Sequence, residues 1–160
     1  MRDASTSTAL VIPSEVATFL EDGLIMFLGT RSPERAPESV LAAGARVLAD
    51  GTLEAYVPSL FAALTEANVR DNGEVALSVA RVTDDRSLQL KGRLVAVGPA
   101  TEEARRYLER FLERREQAFA RVGIPRSVSA RLVSWPCVAV RFAVCSMYEQ
   151  TPGPSAGEPL

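Results

Sequence analysis

"SLQLKGRLVAV" (residues 87–97) alternates apolar and polar side chains along a run of strand length. In a strand, alternate residues share a face. Leu88, Leu90, Gly92 and Leu94 therefore take one side, and Ser87, Gln89, Lys91 and Arg93 the other. A strand with one dry and one wet face belongs to an antiparallel sheet covering a core on one side. Lys91 is the only lysine; the other 17 basic residues are arginine. Gly92 is a poor strand residue, and it marks a bulge or the close approach of another backbone.

The rest of the chain repeats this kind of signal. "LIMFLGT" (24–30) reads as a buried strand. "ESVLAAGARVLA" (38–49) and "TLEAYVP" (52–58) read as two strands of a hairpin turning at Asp50-Gly51. "EVALSVARV" (74–82) precedes the opening strand across a polar turn, and "VAVRFAVCSMYEQ" (138–150) is the last strand. In that strand Val138, Val140, Phe142 and Val144 face the core, and Cys137, Ala139, Arg141 and Cys145 face away.

Helices fill the gaps. One covers about 14–22, with Ser14 as cap, Val16, Phe19 and Leu20 as apolar face, and Gly23 as stop. A second follows Ser59 as cap and ends at Gly73. The third, from Thr101 to about Val122, buries Ala104, Tyr107, Leu108, Phe111, Leu112, Phe119 and Val122. Glu102–Arg106 and Arg105–Glu109 lie at ion-pair spacing on its wet side. A short helix fits "RSVSARLVS" (126–134). The expected architecture is mainly β with flanking helices: a six-stranded antiparallel barrel with helices at its openings. Residues 12–150 form the domain, 1–11 a flexible start and 151–160 a flexible Pro/Gly tail.

Totals bound the function. The chain has 160 residues, 47% apolar, with net charge −2, so it carries no nucleic-acid footprint. No apolar run approaches the ~20 residues of a membrane helix, and Ala9–Ile12 is too short for a signal-peptide core, so a cytoplasmic protein is expected. There is no histidine, which excludes Ser-His-Asp and Cys-His catalysis and makes a zinc site improbable. Cys137 and Cys145 are eight residues apart; at ~3.3 Å per strand step they lie roughly 26 Å apart. A disulfide needs Cα atoms within about 7 Å, so they cannot pair within the chain.

The hairpin 38–58, the helix carrying Leu64-x-x-Ala67-Asn68, and the strand running from Arg86 to Gly92 resemble the pyridoxamine 5'-phosphate oxidase-like family of flavin-binding split barrels. The likeness spans about Ile12 to Gln150. It implies a split barrel, a homodimer, and flavin mononucleotide (FMN) held between subunits. It places Tyr56 and Val57, Ser59, and Ser87 at the ligand wall. Gln89 and Lys91 join them on their strand face: an amide with donors and an acceptor, and a compact cation for a phosphate or ring carbonyl. Oxidase members carry a basic pair where this chain reads Ser59-Leu60-Phe61, and basic residues where it reads "ESVLAA". Ser59 at a helix start offers free N–H groups as another phosphate site. No catalytic residue and no metal ligand is assigned. The leading expectation is a flavin-dependent oxidoreductase; the alternatives are a cofactor-free dimeric binding or scaffold barrel and an enzyme using a bulkier deazaflavin. Trp135 is expected as a core or interface aromatic, or as a ring stacked on flavin.

Overall fold

The computed structural model describes residues 8–160. Its elements are α1 (Ser14–Leu20), β1 (Ile25–Arg31), β2 (Pro37–Ala42), β3 (Gly44–Val47), β4 (Leu53–Pro58), a 3₁₀ turn (Ser59–Phe61), α2 (Ala62–Asn72), β5 (Glu74–Ala80), β6 (Ser87–Pro99), α3 (Glu102–Arg121), α4 (Arg126–Ser129) and β7 (Cys137–Glu149). All seven strands belong to one antiparallel sheet, in the order β2-β1-β5-β6-β7-β4-β3.

Seven strands replace the expected six because "ESVLAAGARVLA" breaks at Ala43. Before the break β2 pairs with β1; after it β3 pairs with β4. The two outermost strands are thus successive in the chain. The sheet is not closed: its two edges are joined only by the bent segment between β2 and β3 and by no ladder, so the barrel is split. The bend needs small residues. Ala42, Ala43, Gly44 and Ala45 are all buried. A Cβ on Gly44 would lie 2.9 Å from Leu108 Cδ2 and 3.0 Å from the Phe111 ring. Helix α3 seats its Leu108 and Phe111 on this stretch, and the Tyr107 hydroxyl donates to the Ala45 carbonyl at 2.7 Å.

Gly92 meets both conditions read from the sequence. The β6–β7 register shifts between Lys91 and Gly92, and a Cβ at 92 would stand 2.2 Å from the Ala143 carbonyl oxygen. The Asp50-Gly51 turn is present, with Gly51 at φ 82°. Gly73 ends α2 at φ 69°.

Other details differ. Neither Ser14 nor Ser59 caps a helix by its side chain: Pro13 precedes α1, and a 3₁₀ turn separates Ser59 from α2. Thr101 does cap α3, accepting from the Ala104 N–H at 3.2 Å. Val122 lies past the last turn of α3 and is exposed, while Arg115 is buried. Glu102 pairs with Arg105 and not Arg106, beside the expected Arg105–Glu109 pair. Neither cysteine forms a disulfide. Burial pushes the Cys137 thiol up to about 12.

The last residues also have a defined place. β4 leaves β7 at Phe142, which exposes the outer edge of β7 beyond it. Leu10 N–H donates to the Val144 carbonyl there at 2.7 Å. Further along, Glu149 N–H donates to Glu158 O and Leu160 N–H to Met147 O, with Tyr148 bridged to Pro159. Residues 151–160, read from sequence as a flexible tail, are hydrogen-bonded along β7, though their side chains are largely exposed. Of the flexible start expected at 1–11, residues 1–7 lie outside the described residues.

Candidate functional site

Alternation along β1, β5, β6 and β7 sends one set of side chains into the barrel and leaves the other on its outer face. That outer face carries Ile25, Phe27, Gly29 and Arg31 from β1. Glu74, Ala76, Ser78 and Ala80 follow from β5, and Ser87, Gln89, Lys91 and Arg93 from β6. Small residues dominate its centre, so the face is hollow. Phe27 stands on it 44% exposed, an uncommon position for a phenyl ring on a sheet.

Two hollows follow one another along the strands. The larger, about 450 Å³, is lined by Gly29, Ala76, Gly92 and Cys145 at its floor, with Arg31, Glu38, Glu74, Lys91 and Arg93 among the walls. The second, about 230 Å³, is lined by Phe27, Ser78, Ser87, Gln89 and Gln150 among others. The larger falls in the size range of small-molecule sites.

Its charges are arranged unequally. Glu74 is shared by Arg31 (2.5 Å) and Arg93 (3.4 Å), and the Arg31 hydrogen bond holds the Glu74 carboxyl below the usual range. Lys91 has a different neighbour: its Nζ lies 4.9 Å from the Tyr148 ring centroid. Three cations and two carboxylates leave one positive charge in excess, and Lys91 is the cation most ready to meet an acid. Glu38 is held by neutral donors: Thr30 Oγ1 at 2.6 Å, Thr65 Oγ1 at 3.2 Å and Asn68 Nδ2 at 3.3 Å. These donors come from β1 and α2, and Thr65 and Asn68 are buried. The Leu64-x-x-Ala67-Asn68 motif therefore serves here to fasten α2 to β2.

The predicted residues separate into four groups. Lys91 lines the larger hollow. Ser87 and Gln89 line the second, where Gln89 Nε2 donates to Ser78 Oγ at 3.1 Å. Ser87 is tied at both ends: its N–H donates to Thr151 Oγ1, and its hydroxyl to the Asp85 carbonyl. Tyr56 and Val57 are 0% exposed, so their side chains belong to the core of this chain. The Tyr56 hydroxyl donates to Glu54, and burial above all raises its pKa. Ser59 is exposed at the 3₁₀ turn, its N–H donating to the Pro136 carbonyl. Beside it Leu60, Phe61 and Leu64 are exposed and apolar. Trp135 is partly buried against the core with the Arg105 guanidinium 5.7 Å from its ring. Arg141, which faces away from the core as its place in the strand implies, binds Thr52 Oγ1 and pairs with Asp50 at the β3–β4 turn.

Arg31, Glu38, Glu74 and Cys145 were not expected from sequence as residues of the site. Arg31 sits at the end of an apolar strand and Glu38 after a loop, and they line one hollow with Lys91 only once the sheet is assembled. No group of three or more His, Cys, Asp or Glu among the described residues could hold a metal. No helix among them is long and apolar enough to cross a membrane.

No family profile and no curated protein matches the sequence. Solved structures do. HupZ of Group A Streptococcus aligns with TM-score 0.56 at 14% identity, over 91% of this chain and 99% of that one. An F420 reductase aligns with TM-score 0.53 at 17% identity, over 85% and 98%. A candidate pyridoxamine 5'-phosphate oxidase from Lactobacillus delbrueckii aligns with TM-score 0.53 at 15% identity, over 92% and 99%. At these identities the likeness is one of fold alone, and it agrees with the open, bent sheet described above: the chain shares the split-barrel fold of these structures.

Proposed function

We propose that the protein is a cytoplasmic homodimer that binds a flavin, FMN first, on the outer face of its sheet and uses it for redox chemistry. The observation that carries this is the 450 Å³ hollow, with its floor of small residues and its surplus cation at Lys91. Gly29, Ala76 and Gly92 leave room for a flat ring, and Lys91 with Arg31 and Arg93 suits an acid end. Ser87 and Gln89 extend the same face, while Tyr56, Val57 and Ser59 approach the guest through backbone atoms or from the second subunit. When bound, a flavin supplies the hydride chemistry through its own ring. The chain contributes orientation and charge, consistent with its lack of histidine.

The test is an FMN titration followed by quenching of flavin fluorescence. Wild type binds, and Lys91→Ala weakens binding by about tenfold, the low end of a charge-assisted contact of about 1.5–3 kcal/mol. Unchanged affinity in that variant would remove Lys91 from the site. A second reading, a cofactor-free dimeric scaffold, draws on exposed Leu60, Phe61 and Leu64, which stand near where oxidase relatives grip phosphate. Colourless protein that ignores FMN and a deazaflavin alike would favour it.

A further inference from the structure

We propose that the Glu74 carboxylate is an internal stand-in for the acid end of the guest: it occupies a twin-arginine site formed by Arg31 and Arg93, and a phosphate monoester displaces it. This rests on the flavin reading above and assigns the place of the guest's phosphate.

The site lies where three neighbouring strands meet at one end of the outer face. Arg31 ends β1, Glu74 begins β5, and Arg93 lies opposite Glu74 in the β5–β6 register. All three line the larger hollow with Lys91. Each carboxylate oxygen meets a different guanidinium: Oε2 accepts from Arg31 Nε at 2.5 Å, and Oε1 faces Arg93 Nη1 at 3.4 Å. Both guanidiniums are also tied to the backbone. Arg31 Nη1 donates to the Ser32 carbonyl and Arg93 Nη1 to the Asn72 carbonyl, each at 3.3 Å. Asn72 joins the strand ends, donating from Nδ2 to the Arg31 carbonyl and accepting the Glu74 N–H at Oδ1. The two cations therefore keep contacts that do not involve the Glu74 carboxylate.

Glu74 itself is held less firmly. Its side chain is 41% exposed, so the carboxylate has water to turn towards. Ion pairs this exposed are weak, because water screens them. A phosphate monoester carries roughly −1.5 to −2 charges near neutral pH and has three free oxygens. Glu74 offers one charge and two oxygens. The phosphate can take both guanidiniums, whose planar forks suit it, and still reach Lys91, two residues from Arg93 on the same face. Arg35 and Asp71 also act on the cluster, with opposite charges. A guest ending in one carboxylate exchanges like for like, and a guest with a neutral end leaves the ion pairs as they are. Only a doubly charged end gains, so Glu74 makes the site selective for phosphate.

The experiment compares FMN with riboflavin, which lacks only the phosphate, by fluorescence titration of wild type and variants. On wild type FMN binds about tenfold or more tightly than riboflavin. Glu74→Gln keeps the length and removes the competing charge, and the ratio of the two affinities rises by about threefold. Glu74→Asp, too short to meet both guanidiniums, raises it in the same direction and serves if the glutamine variant does not fold. Arg31→Gln lowers the ratio towards one. A ratio that stays level or falls in both Glu74 variants overturns the proposal, as does a wild-type ratio near one; the flavin reading survives either result. If wild type binds neither compound, the flavin reading falls and takes this one with it.

Discussion

At Gly92 the backbone of β6 runs so close to the Ala143 carbonyl of β7 that a side chain there would collide with it. Gly92 was legible because glycine in a strand has few explanations, and the Ala143 carbonyl supplies one of them. Gly92→Ala should destabilise the fold by about 1–3 kcal/mol, as overpacking does, seen as a lower urea midpoint. Arg115 was not legible. It occupies a helix position of mixed pattern, yet it is 4% exposed, and its Nε has no hydrogen-bond partner among the described residues. Its guanidinium makes a 3.5 Å bond to the Ala43 carbonyl and lies 5.8 Å from the Phe119 ring centroid. Burial lowers its pKa. Leaving such a group unsatisfied costs about 1–3 kcal/mol. Arg115→Met keeps the length and removes the penalty, so thermal unfolding should shift upward; a downward shift would show a partner at that site. Lys91 was legible as an outlier of composition, but Arg31 and Glu38, which line the same hollow, were not, since nothing in their local pattern distinguishes them from loop-flanking charges.

Elements were legible wherever one period ran unbroken. β5, β6 and β7 alternate cleanly and lie where expected. The run 38–49 was not read correctly, because both of its halves alternate acceptably and the break falls in Ala-Ala-Gly, which carries little periodic information. What divides it is tertiary: each half has a different partner strand, and α3 presses on the joint. Helix α2 illustrates the converse. Its apolar residues form no continuous stripe, and Leu64 is exposed, so packing of an apolar face is not its main anchor. It is fixed to the sheet partly through Thr65 and Asn68, which converge on Glu38 and Thr30. Asn68→Ala removes two of these bonds at a buried position and should cost about 1–3 kcal/mol. The same variant should speed amide hydrogen exchange across Ala62–Asn72 more than in β5 or β6. Uniform acceleration would mean that the anchor holds the whole molecule and not the helix.

At the scale of the molecule, surface carboxylates set the acid limit. Glu74 is held low by Arg31, Glu149 by Thr151, Asp50 by Thr52 and Asp84 by Arg81, each named by its largest cause. A carboxyl depressed in the folded state stabilises above its unfolded value and loses that contribution as pH falls through the folded one. The unfolded references are 4.5 for Glu and 3.8 for Asp. Urea midpoints should therefore hold level down to about pH 5 and drop below 4.5, and Glu74→Gln should make that drop shallower. An identical profile in the variant would exclude Glu74 as a contributor. The overall barrel was visible in the order of strands and helices; the hollows were not, because they arise from register between strands distant in sequence. The strip of β7 beyond Phe142 has one last implication. Leu10 and Leu160 are bonded to Val144 and Met147, three residues apart on one strand, a separation of about 10 Å. A short peptide could join these two positions, and the backbone could be reopened at the exposed 49–51 hairpin. The molecule is thus suited to circular permutation, which would reorder its strands in sequence while leaving every ladder in place.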